Sequence, residues 1–501
     1  FHDALVSFAE RRIIFMNKKI YLFSIIYLYL PVLLFVLTWT SGWIAIPVSI
    51  MTILALCLGY RRLINDCKVV KKITQIEGLS VFLIFIVLCI FAGGGDLFLQ
   101  DYDWSKHHAV LRDLVNYRWP VVYDGDAMLT YYLGQYIVPA FIGKLCNQSM
   151  FIAVWALTFW NAAGLWLVFY LVCQYVNADT LLKKTGVFII LVLWGGATNF
   201  GSEVYQRLGN HAELFAYKWI DFNRIKIHFA SNFDALRGAF QHLIVPWICS
   251  AIFIENTRKV ETYVMLALPL FFASTFGFVY FSVILFASVI IEAFCEENKN
   301  ILRRLFSQNN VLLLPVSFVF VIYYIGNVFG KKPDSVGFEF VNMTKHIQFY
   351  LVFIAVEFII YAVCLFLDYK KNVLYYIIIG ELLIIPFFSM GLYNDLCSRG
   401  SIPARFILML WCIQQILKRG RKYICNILLV CVFVVAALNT LNEVKLVCYR
   451  TIVYGLNHQD NIMDEFGTLN GMAGNPEKQP DEAYNYFTLD YKNSIFYYIS
   501  R

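Results

Sequence analysis

Residues 19–39 read KIYLFSIIYLYLPVLLFVLTW, a run whose only charged residue is the lysine at its start. A helix needs about 20 such residues to cross the hydrocarbon core of a bilayer, which is about 30 Å thick. Similar runs recur as far as residue 440. The 501 residues are 60% hydrophobic and 15% charged, against about 25% charged in an average protein. The sequence therefore predicts an all-α polytopic membrane protein.

Composition also excludes other classes of protein. A net charge of +7 would suit nucleic-acid binding only if the basic residues clustered on one soluble face. They stand instead in short connectors between apolar runs, so we expect no nucleic-acid partner. Most of the 13 cysteines lie in or beside apolar runs, where cysteine is a small hydrophobe, and the sequence has no CxxC pair. We expect no cofactor and no metal.

The apolar runs predict a bundle of about 13 transmembrane helices, each long enough to span the bilayer or nearly so. The predicted spans are 19–39, 43–60, 79–93, 150–176, 185–199, 240–255, 261–274, 276–293, 310–329, 347–367, 373–390, 403–417 and 423–440. Since no small-residue cleavage site follows residue 39, we expect the first run to be a retained helix. Residues 1–15 precede Met16, and we expect them to be an extension upstream of the native start.

The connectors between spans alternate between short basic ones and long polar ones. The basic connectors contain Lys18-Lys19, Arg61-Arg62, Lys183-Lys184, Arg258-Lys259, Arg303-Arg304, Lys370-Lys371 and Lys418-Arg419. By the positive-inside rule these face the cytoplasm, which places the N-terminus in the cytoplasm and the C-terminus outside. The outer face then carries the loops 94–149, 200–239, 330–346 and 391–402. The chain divides into a transmembrane domain, 1–440, and a small outer tail or subdomain, 441–501.

The first outer loop contains an unusual concentration of ionisable residues, DYDWSKHHAVLRDLVNYRWPV at 101–121. Helical spacing places Asp103 and His107 one turn apart. The pattern predicts a short amphipathic helix at the membrane surface, anchored by Trp104 and Trp119 in the interfacial belt. Asp103 could cap this helix.

This composition suits transfer from a lipid-phosphate donor. Asp101 or Asp103 can take the proton of an acceptor hydroxyl, while basic groups neutralise the leaving phosphate. The candidate basic groups are Lys106, His107 and Arg112. Two alternatives stay open at this point: an interfacial lid with solvated charges, and a metal site that uses Asp103 with His107.

Two later segments offer further candidates. Gln241 and His242 enter the outer end of a membrane helix, a depth at which polar groups usually face a cavity. The alternative for His242 is a hydrogen bond to the carbonyl of a neighbouring helix. In NDLCSRGSIPARFIL (394–408), Asp395, Arg399 and Arg405 surround a predicted helix start at Pro403. Two arginines near the start of a helix indicate an anion site. A salt bridge between Asp395 and Arg399 that closes the loop is favoured equally, and both features can exist together.

Aromatic residues near these loops have two interpretations. Tyr131, Tyr132 and Tyr136 could stack on a sugar or could be interfacial anchors, and the second is favoured. The tail is polar from about residue 457 to 482 and ends in YNYFTLDYKNSIFYYISR. It is predicted to pack on the outer loops, with a disordered tail as the alternative.

Taken together, these motifs and the topology resemble the GT-C superfamily of integral membrane glycosyltransferases, and more closely a group of bacterial cell-envelope proteins. The similar segments are DWSKHHAVLRDLVNYRWPV, FQHLIVPWI and NDLCSRGSIPARFIL. The resemblance implies a polyprenyl-phosphate-linked sugar donor, a glycan or lipid acceptor, and inversion at the sugar carbon in the bacterial inner membrane. It assigns the general base to Asp101 or Asp103, and donor-phosphate contacts to Arg399 and His242.

One feature departs from the superfamily pattern, because two spans precede the span that leads into the acidic loop, whereas many members carry the acid after their first helix. A likeness of architecture alone does not establish function. The alternatives are a transporter or flippase of lipid-linked glycans, a glycan polymerase or ligase of the same pathway, and a non-catalytic scaffold. The sequence shows no internal repeat of the kind common in transporters.

Overall fold

The computed structural model describes residues 2–65, 73–124, 126–197, 220–222, 225–294, 300–328, 338–342, 344, 347–390, 394–418, 423–455, 461–464, 467–470 and 486–501. Side chains are described from residue 18 onward, except at 220–222, 225, 226, 423 and 454. The side chains of the predicted extension 1–15 lie outside this description. So do residues 200–219 and 223–224 of the predicted loop 200–239, most of the loop 330–346, and residues 391–393.

Helices account for most of the described chain, and we number them in order. They are α1 (His2–Trp39), α2 (Gly42–Ile64), α3 (Gln75–Phe91), α4 (Trp104–Asn116), α5 (Ile137–Leu145), α6 (Met150–Tyr175), α7 (Leu181–Leu193), α8 (Asn232–Gly238), α9 (Ile244–Glu255), α10 (Tyr263–Ala273), α11 (Thr275–Phe294), α12 (Ile301–Leu305), α13 (Gln308–Leu312), α14 (Leu314–Val328), α15 (Ile347–Ile354), α16 (Ile360–Tyr369), α17 (Val373–Ile384), α18 (Asp395–Gly400), α19 (Ile402–Leu417), α20 (Tyr423–Tyr454) and α21 (Ile495–Ser500).

Eight helical segments in the described part of the chain are long and apolar enough to cross a membrane, so the protein is a multi-pass helical membrane protein. They are Lys18–Trp39, Gly42–Ile64, Met150–Tyr175, Thr275–Phe294, Gln308–Asn327, Ile347–Tyr369, Asp395–Leu417 and Ile424–Val453. The helices Asn232–Gly238 and Phe240–Glu255 form a further apolar pair, bent by 119°. Three shorter apolar helices are Gln75–Phe91, Val260–Ala273 and Val373–Phe387. The count of about 13 crossings stays a prediction.

Three small antiparallel sheets interrupt the helical pattern and were not predicted. The strands are β1 (Val122–Tyr123), β2 (Ala127–Leu129), β3 (Ile220–Phe222), β4 (Ile225–Ile227), β5 (Phe338–Phe340), β6 (Phe388–Met390) and β7 (Phe487–Thr488). β3 pairs with β4, β5 pairs with β6, and β2 pairs with both β1 and β7. Because Met128 is paired with Val122 on one side and with Thr488 on the other, the end of the chain joins the first outer loop.

Three of the basic connectors meet at one end of the bundle, which we call the basic end. The Lys259 ammonium donates to the Arg62 carbonyl over 2.9 Å. Glu261 pairs with Arg62 at 3.4 Å and with Arg304 at 2.9 Å, and Arg304 also lies 3.6 Å from Glu292. Three predicted basic connectors, around residues 62, 259 and 304, therefore lie on one side of the bundle, as the positive-inside rule predicts for connectors rich in lysine and arginine.

The long polar segments meet at another end, which we call the loop end. The Ser41 amide donates to the Ile499 carbonyl over 2.8 Å, and the Gln100 amide donates to Asn461 over 2.9 Å. The ring of Phe496 lies 5.4 Å from that of Tyr323, within an aromatic core that contains Phe35. The C-terminal residues thus pack against the loop 94–149, predicted to be the first outer loop, and against the membrane helices, so the described residues 486–501 form part of the same body.

One predicted boundary is wrong. The last long helix continues to Tyr454, past the boundary at residue 440, because Glu443, Lys445 and Arg450 end the apolar run without ending the helix. The run 261–293 is two helices that separate at Ser274 (φ −158°, ψ 82°), close to the predicted division between 274 and 276, and Pro269 lies inside α10.

Candidate functional site

Asp103 stands at the start of α4 at the loop end. It occupies the N-cap position, yet its side chain accepts no hydrogen bond from the helix amides. Its carboxylate instead lies 3.6 Å from the Lys106 ammonium, and 33% of the Asp103 side chain is exposed. The predicted capping role is therefore wrong, and the carboxylate oxygens face other polar groups and solvent.

The end of α8 lies directly beside both aspartates of this loop. A Cβ atom built on Gly238 would lie 3.4 Å from Asp103 Oδ2 and 3.9 Å from the Asp101 carboxyl carbon. The Trp104 indole donates to the Arg237 carbonyl over 2.8 Å. The first and second outer loops therefore meet around this pair of carboxylates.

Arg237 is a charged residue of this site that sequence reasoning missed. Its guanidinium lies 2.9 Å from Glu443 and 4.0 Å from Asp101. The residue is buried, and its Nε has no hydrogen-bond partner among the described residues. Nothing in the local pattern around residue 237 distinguishes it from other loop arginines; its role depends on contacts with α20 and the first loop.

His107 is held in one neutral tautomer by two hydrogen bonds. Nε2 lies 3.2 Å from the Gly238 carbonyl, which can only accept, so Nε2 carries the proton. Nδ1 then accepts from the Tyr136 hydroxyl at 2.6 Å. Burial lowers the pKa of His107 to about 3, with the Asp103 carboxylate opposing the shift and Arg399 adding to it. The expectation that a charged His107 neutralises a phosphate is wrong, because the ring is neutral. The His107 ring instead holds the Gly238 carbonyl through a hydrogen bond from Nε2.

His242 and Arg399 come together from different loops. The Arg399 guanidinium lies 3.5 Å from His242 Nε2, and because arginine only donates, this nitrogen is the acceptor. Nδ1 of His242 then donates to the Ser274 hydroxyl over 2.9 Å. The alternative of a bond from His242 to a neighbouring carbonyl is wrong, because a hydroxyl and a guanidinium take both ring nitrogens.

The local fold positions Arg399. Asn394 adopts a left-handed conformation (φ 50°), and its side chain accepts from the Cys397 amide, which starts α18. One turn later Arg399 pairs with Asp395 at 3.3 Å, so the predicted Asp395–Arg399 salt bridge is confirmed. Pro403 lies in the first turn of α19, as predicted. The Asp103 carboxylate also acts electrostatically on Arg399.

Aromatic rings line the same region. The Tyr132 ring lies 4.9 Å from the His242 ring, and the Tyr131 ring lies 4.6 Å from that of Tyr486 in the C-terminal segment. Tyr131 and Tyr136 are buried. The favoured interpretation of these tyrosines as interfacial anchors is wrong for Tyr131 and Tyr136, because protein covers their rings.

Gln241 lies beside this group and is almost completely buried, at 1% exposure. Its side-chain oxygen has no hydrogen-bond partner within the described ranges. A buried acceptor of this kind costs free energy unless something donates to it. The Gln241 side-chain oxygen could therefore accept a hydrogen bond from a bound molecule, which agrees with the substrate-binding role expected for Gln241.

Two predicted basic residues lie outside this group. Arg112 forms a two-pronged ion pair with Asp464 and also donates to the Gly467 carbonyl, so it binds the C-terminal segment. Arg405 donates to the Ala230 carbonyl over 2.5 Å and lies over the Phe229 ring at 5.1 Å. Neither guanidinium joins Asp103, His242 and Arg399, because each is engaged elsewhere.

The surface helix is also not what the pattern predicted. Trp104 is 2% exposed, and almost every residue of α4 is buried. Trp119 donates to the Leu114 carbonyl over 2.8 Å and contacts Lys144, 5.6 Å from its ring. The prediction that Trp104 anchors α4 in lipid is wrong, because the second loop and the C-terminal segment cover the helix.

The described residues contain no group of three or more His, Cys, Asp or Glu side chains placed to hold a metal ion. What the loop end does bring together is a partly exposed carboxylate, Asp103, with three cations: Lys106, Arg237 and Arg399. Such a set can accept a proton and can stabilise negative charge on a bound group. Comparison of the chain with protein-family models, with curated proteins and with solved structures gives no match.

Proposed function

We propose that the protein is a GT-C-type glycosyltransferase of the bacterial inner membrane. It would move a sugar from a polyprenyl-phosphate-linked donor to a glycan or lipid acceptor on the outer face. The acceptor oxygen attacks the anomeric carbon, the bond from that carbon to the phosphate oxygen breaks, and the configuration inverts. Asp103 takes the hydroxyl proton, and polyprenyl phosphate leaves.

The observation that carries this proposal is the convergence of chemistry-bearing residues from three separate loops. Asp103 with Lys106, His242, and Arg399 with Asp395 occupy one region at the loop end. A reaction with an activated phosphate leaving group needs one base, positive charge near the phosphate and correct orientation. The region supplies the first two from residues that are far apart in the sequence.

Each residue has a distinct proposed role. Asp103 is favoured over Asp101 as the base because its carboxylate lies beside Lys106, one of the two proposed phosphate contacts. Arg399 and Lys106 contact the donor phosphate, and His242 orients Arg399. His107 is a positioning residue that holds the end of α8 against α4. Tyr132, which is half-buried beside His242, would contact the sugar.

The topology follows from the two ends of the bundle. The basic end faces the cytoplasm by the positive-inside rule, and the loop end faces the periplasm. About 13 crossings then place the N-terminus inside and the C-terminus in the periplasm, with α4 as an outer-face helix. A supporting fact is that the C-terminal residues pack on the first outer loop.

The test is acceptor-dependent transfer by the full chain in proteoliposomes. A panel of polyprenyl-phosphate hexoses and pentoses is offered with a membrane glycan extract, and formation of new glycoside is measured. We expect transfer from one donor class, with inverted configuration. Translocation of the same donors without transfer would favour a flippase instead. The observation that favours this second function is the 119° bend between α8 and the helix Phe240–Glu255, because transporters often contain broken helices.

A further inference from the structure

The C-terminal segment contacts the later turns of α4, beyond the residues that border the candidate site. Arg112 binds Asp464, and the Asp113 carboxylate accepts from the Leu469 amide over 3.0 Å. The site instead uses Asp103, Lys106 and His107 at the start of the helix. The start of α4 therefore borders the candidate site, and its later turns contact Asp464 and Leu469 of the C-terminal segment.

Both the amide and the carbonyl of Met463 form hydrogen bonds with side chains of the first predicted outer loop. Its amide donates to the Gln100 side-chain oxygen over 2.9 Å. Its carbonyl lies 2.9 Å from His108 Nδ1. The Gln100 amide nitrogen donates to the Gly93 carbonyl over 2.9 Å and to Asp96 Oδ1 over 2.7 Å, so both ends of the Gln100 side chain are used.

His108 has acceptors at both of its ring nitrogens. The Met463 carbonyl faces Nδ1, and Asp96 Oδ1 lies 3.0 Å from Nε2. A carbonyl and an ionised carboxylate cannot donate, so the two bonds form together only when the imidazole carries two protons. The His108 side chain is 4% exposed, so water is largely excluded from replacing either bond.

We propose that His108 and Asp96 form a proton-dependent clamp that holds Met463, and with it the C-terminal segment, against the first outer loop. When the second proton leaves, the remaining N–H stays with Asp96, because an ionised carboxylate is a stronger acceptor than a carbonyl, and the bond to Met463 is lost. The segment around Met463 then opens more often at high pH than at low pH.

The charged groups around His108 come from three elements. Asp96 precedes the helix, Arg112 and Asp113 lie on α4, and Asp464 belongs to the C-terminal segment. Arg112 is bound to Asp464, and the Asp113 carboxylate is bound to the Leu469 amide and to Tyr123. His107 is the neighbour on the other face and is neutral. Asp96 is thus the carboxylate in direct contact with His108.

Further along the chain, the ring of Tyr486 lies against Tyr131 of the candidate site. If the loop end faces outward, as proposed above, the pH outside the membrane sets how tightly this segment is docked. The clamp itself rests only on the contacts of His108, so its test is independent of glycosyl transfer.

The test is hydrogen–deuterium exchange of the full chain in detergent or nanodiscs at pH 5 and pH 8. Protection at Met463 is the intrinsic exchange rate divided by the observed rate. We expect protection to fall at least about tenfold from pH 5 to pH 8, the size expected for one charge-assisted hydrogen bond. Amides of Met150–Tyr175 serve as the internal reference. Equal protection of Met463 at both pH values would overturn the clamp.

Asp96→Asn is the matched variant. Asparagine tolerates the left-handed conformation of this position (φ 57°), and its amide can donate to a neutral His108. Met463 protection in Asp96→Asn should therefore change less than about twofold over the same pH range. A fall as large as that of the wild type would assign the pH dependence to another group and overturn the clamp. If the variant loses protection at both pH values, the wild-type comparison decides alone.

Discussion

The guanidinium of Arg399 lies 3.5 Å from Nε2 of His242, although 157 positions separate the two residues. The contact joins α18 to the first turn after the break in the bent helix pair, where Arg399 also pairs with Asp395 and His242 donates to Ser274. A half-buried cation with these partners and an aspartate nearby is the feature on which the proposed donor site rests.

Arg399→Lys should weaken binding of a polyprenyl phosphate by at least about tenfold, because a single ammonium cannot reproduce the planar fork that faces His242 and Asp395. Native mass spectrometry of the protein in nanodiscs measures this binding. Arg405→Lys is the matched control, since Arg405 binds the Ala230 carbonyl instead. Equal loss in both variants would show that Arg399 has no special role.

His107 should make the protein less stable in acid. Its pKa falls from 6.5 to about 3 on folding, so the unfolded chain binds the proton more tightly. The contribution of neutral His107 to the free energy of unfolding is complete above pH 6.5. It is lost as the pH falls toward 3, by about 1.4 kcal/mol per pH unit. Thermal unfolding at pH 7 and pH 5 should show a smaller acid loss in His107→Gln, which accepts and donates without titrating. An identical loss in both proteins would contradict a neutral, buried His107.

Asp113 should act on stability in the same pH range with the opposite sign. Burial raises its pKa from 3.8 to about 6, with bonds from Tyr123 and Leu469 opposing the shift. The folded state therefore holds the proton more tightly, and stability falls as the pH rises from 3.8 to about 6. Asp113→Asn should gain in melting temperature relative to the wild type between pH 4 and pH 7. A constant difference across this range would exclude the raised pKa.

Helix packing offers a test of the fold itself. A Cβ atom on Gly164 of α6 would lie 2.3 Å from Ile244 Cγ2 and 2.5 Å from the Tyr27 hydroxyl. Gly164→Ala should destabilise the protein by about 1–3 kcal/mol through overpacking. Gly186→Ala in α7 is the control, because nothing lies within 4 Å of its Cβ. Thermal unfolding of both variants distinguishes them, and a harmless Gly164→Ala would argue against this packing of α6, α9 and α1.

The sequence predicts the membrane helices well because a 20-residue apolar run has few other uses. It predicts their ends less well. Glu443 lies within α20 and pairs with Arg237, and a charge that ends an apolar run need not end a helix. The short strands β2 and β7 were missed because their pairing depends on residues more than 350 positions apart.

The candidate site was predicted in part for a similar reason. Asp103, His242 and Arg399 were chosen because each is a polar residue beside an apolar span. Arg237 was missed, and Arg112 and Arg405 were assigned to the wrong neighbours, since a sequence pattern cannot say which of several arginines converge. Trp104 was expected in lipid because an amphipathic pattern does not distinguish a lipid surface from a covering segment of protein.

The central claim is that the Asp103 carboxylate is the general base of sugar transfer, and Asp103→Asn tests it most directly. Transfer from polyprenyl-phosphate sugars to acceptor is measured in proteoliposomes for the wild type, Asp103→Asn and Asp101→Asn, with melting temperatures alongside. We predict that Asp103→Asn lowers the rate by about a thousandfold with an unchanged melting temperature, while Asp101→Asn retains most activity. Full transfer activity in Asp103→Asn would contradict the claim.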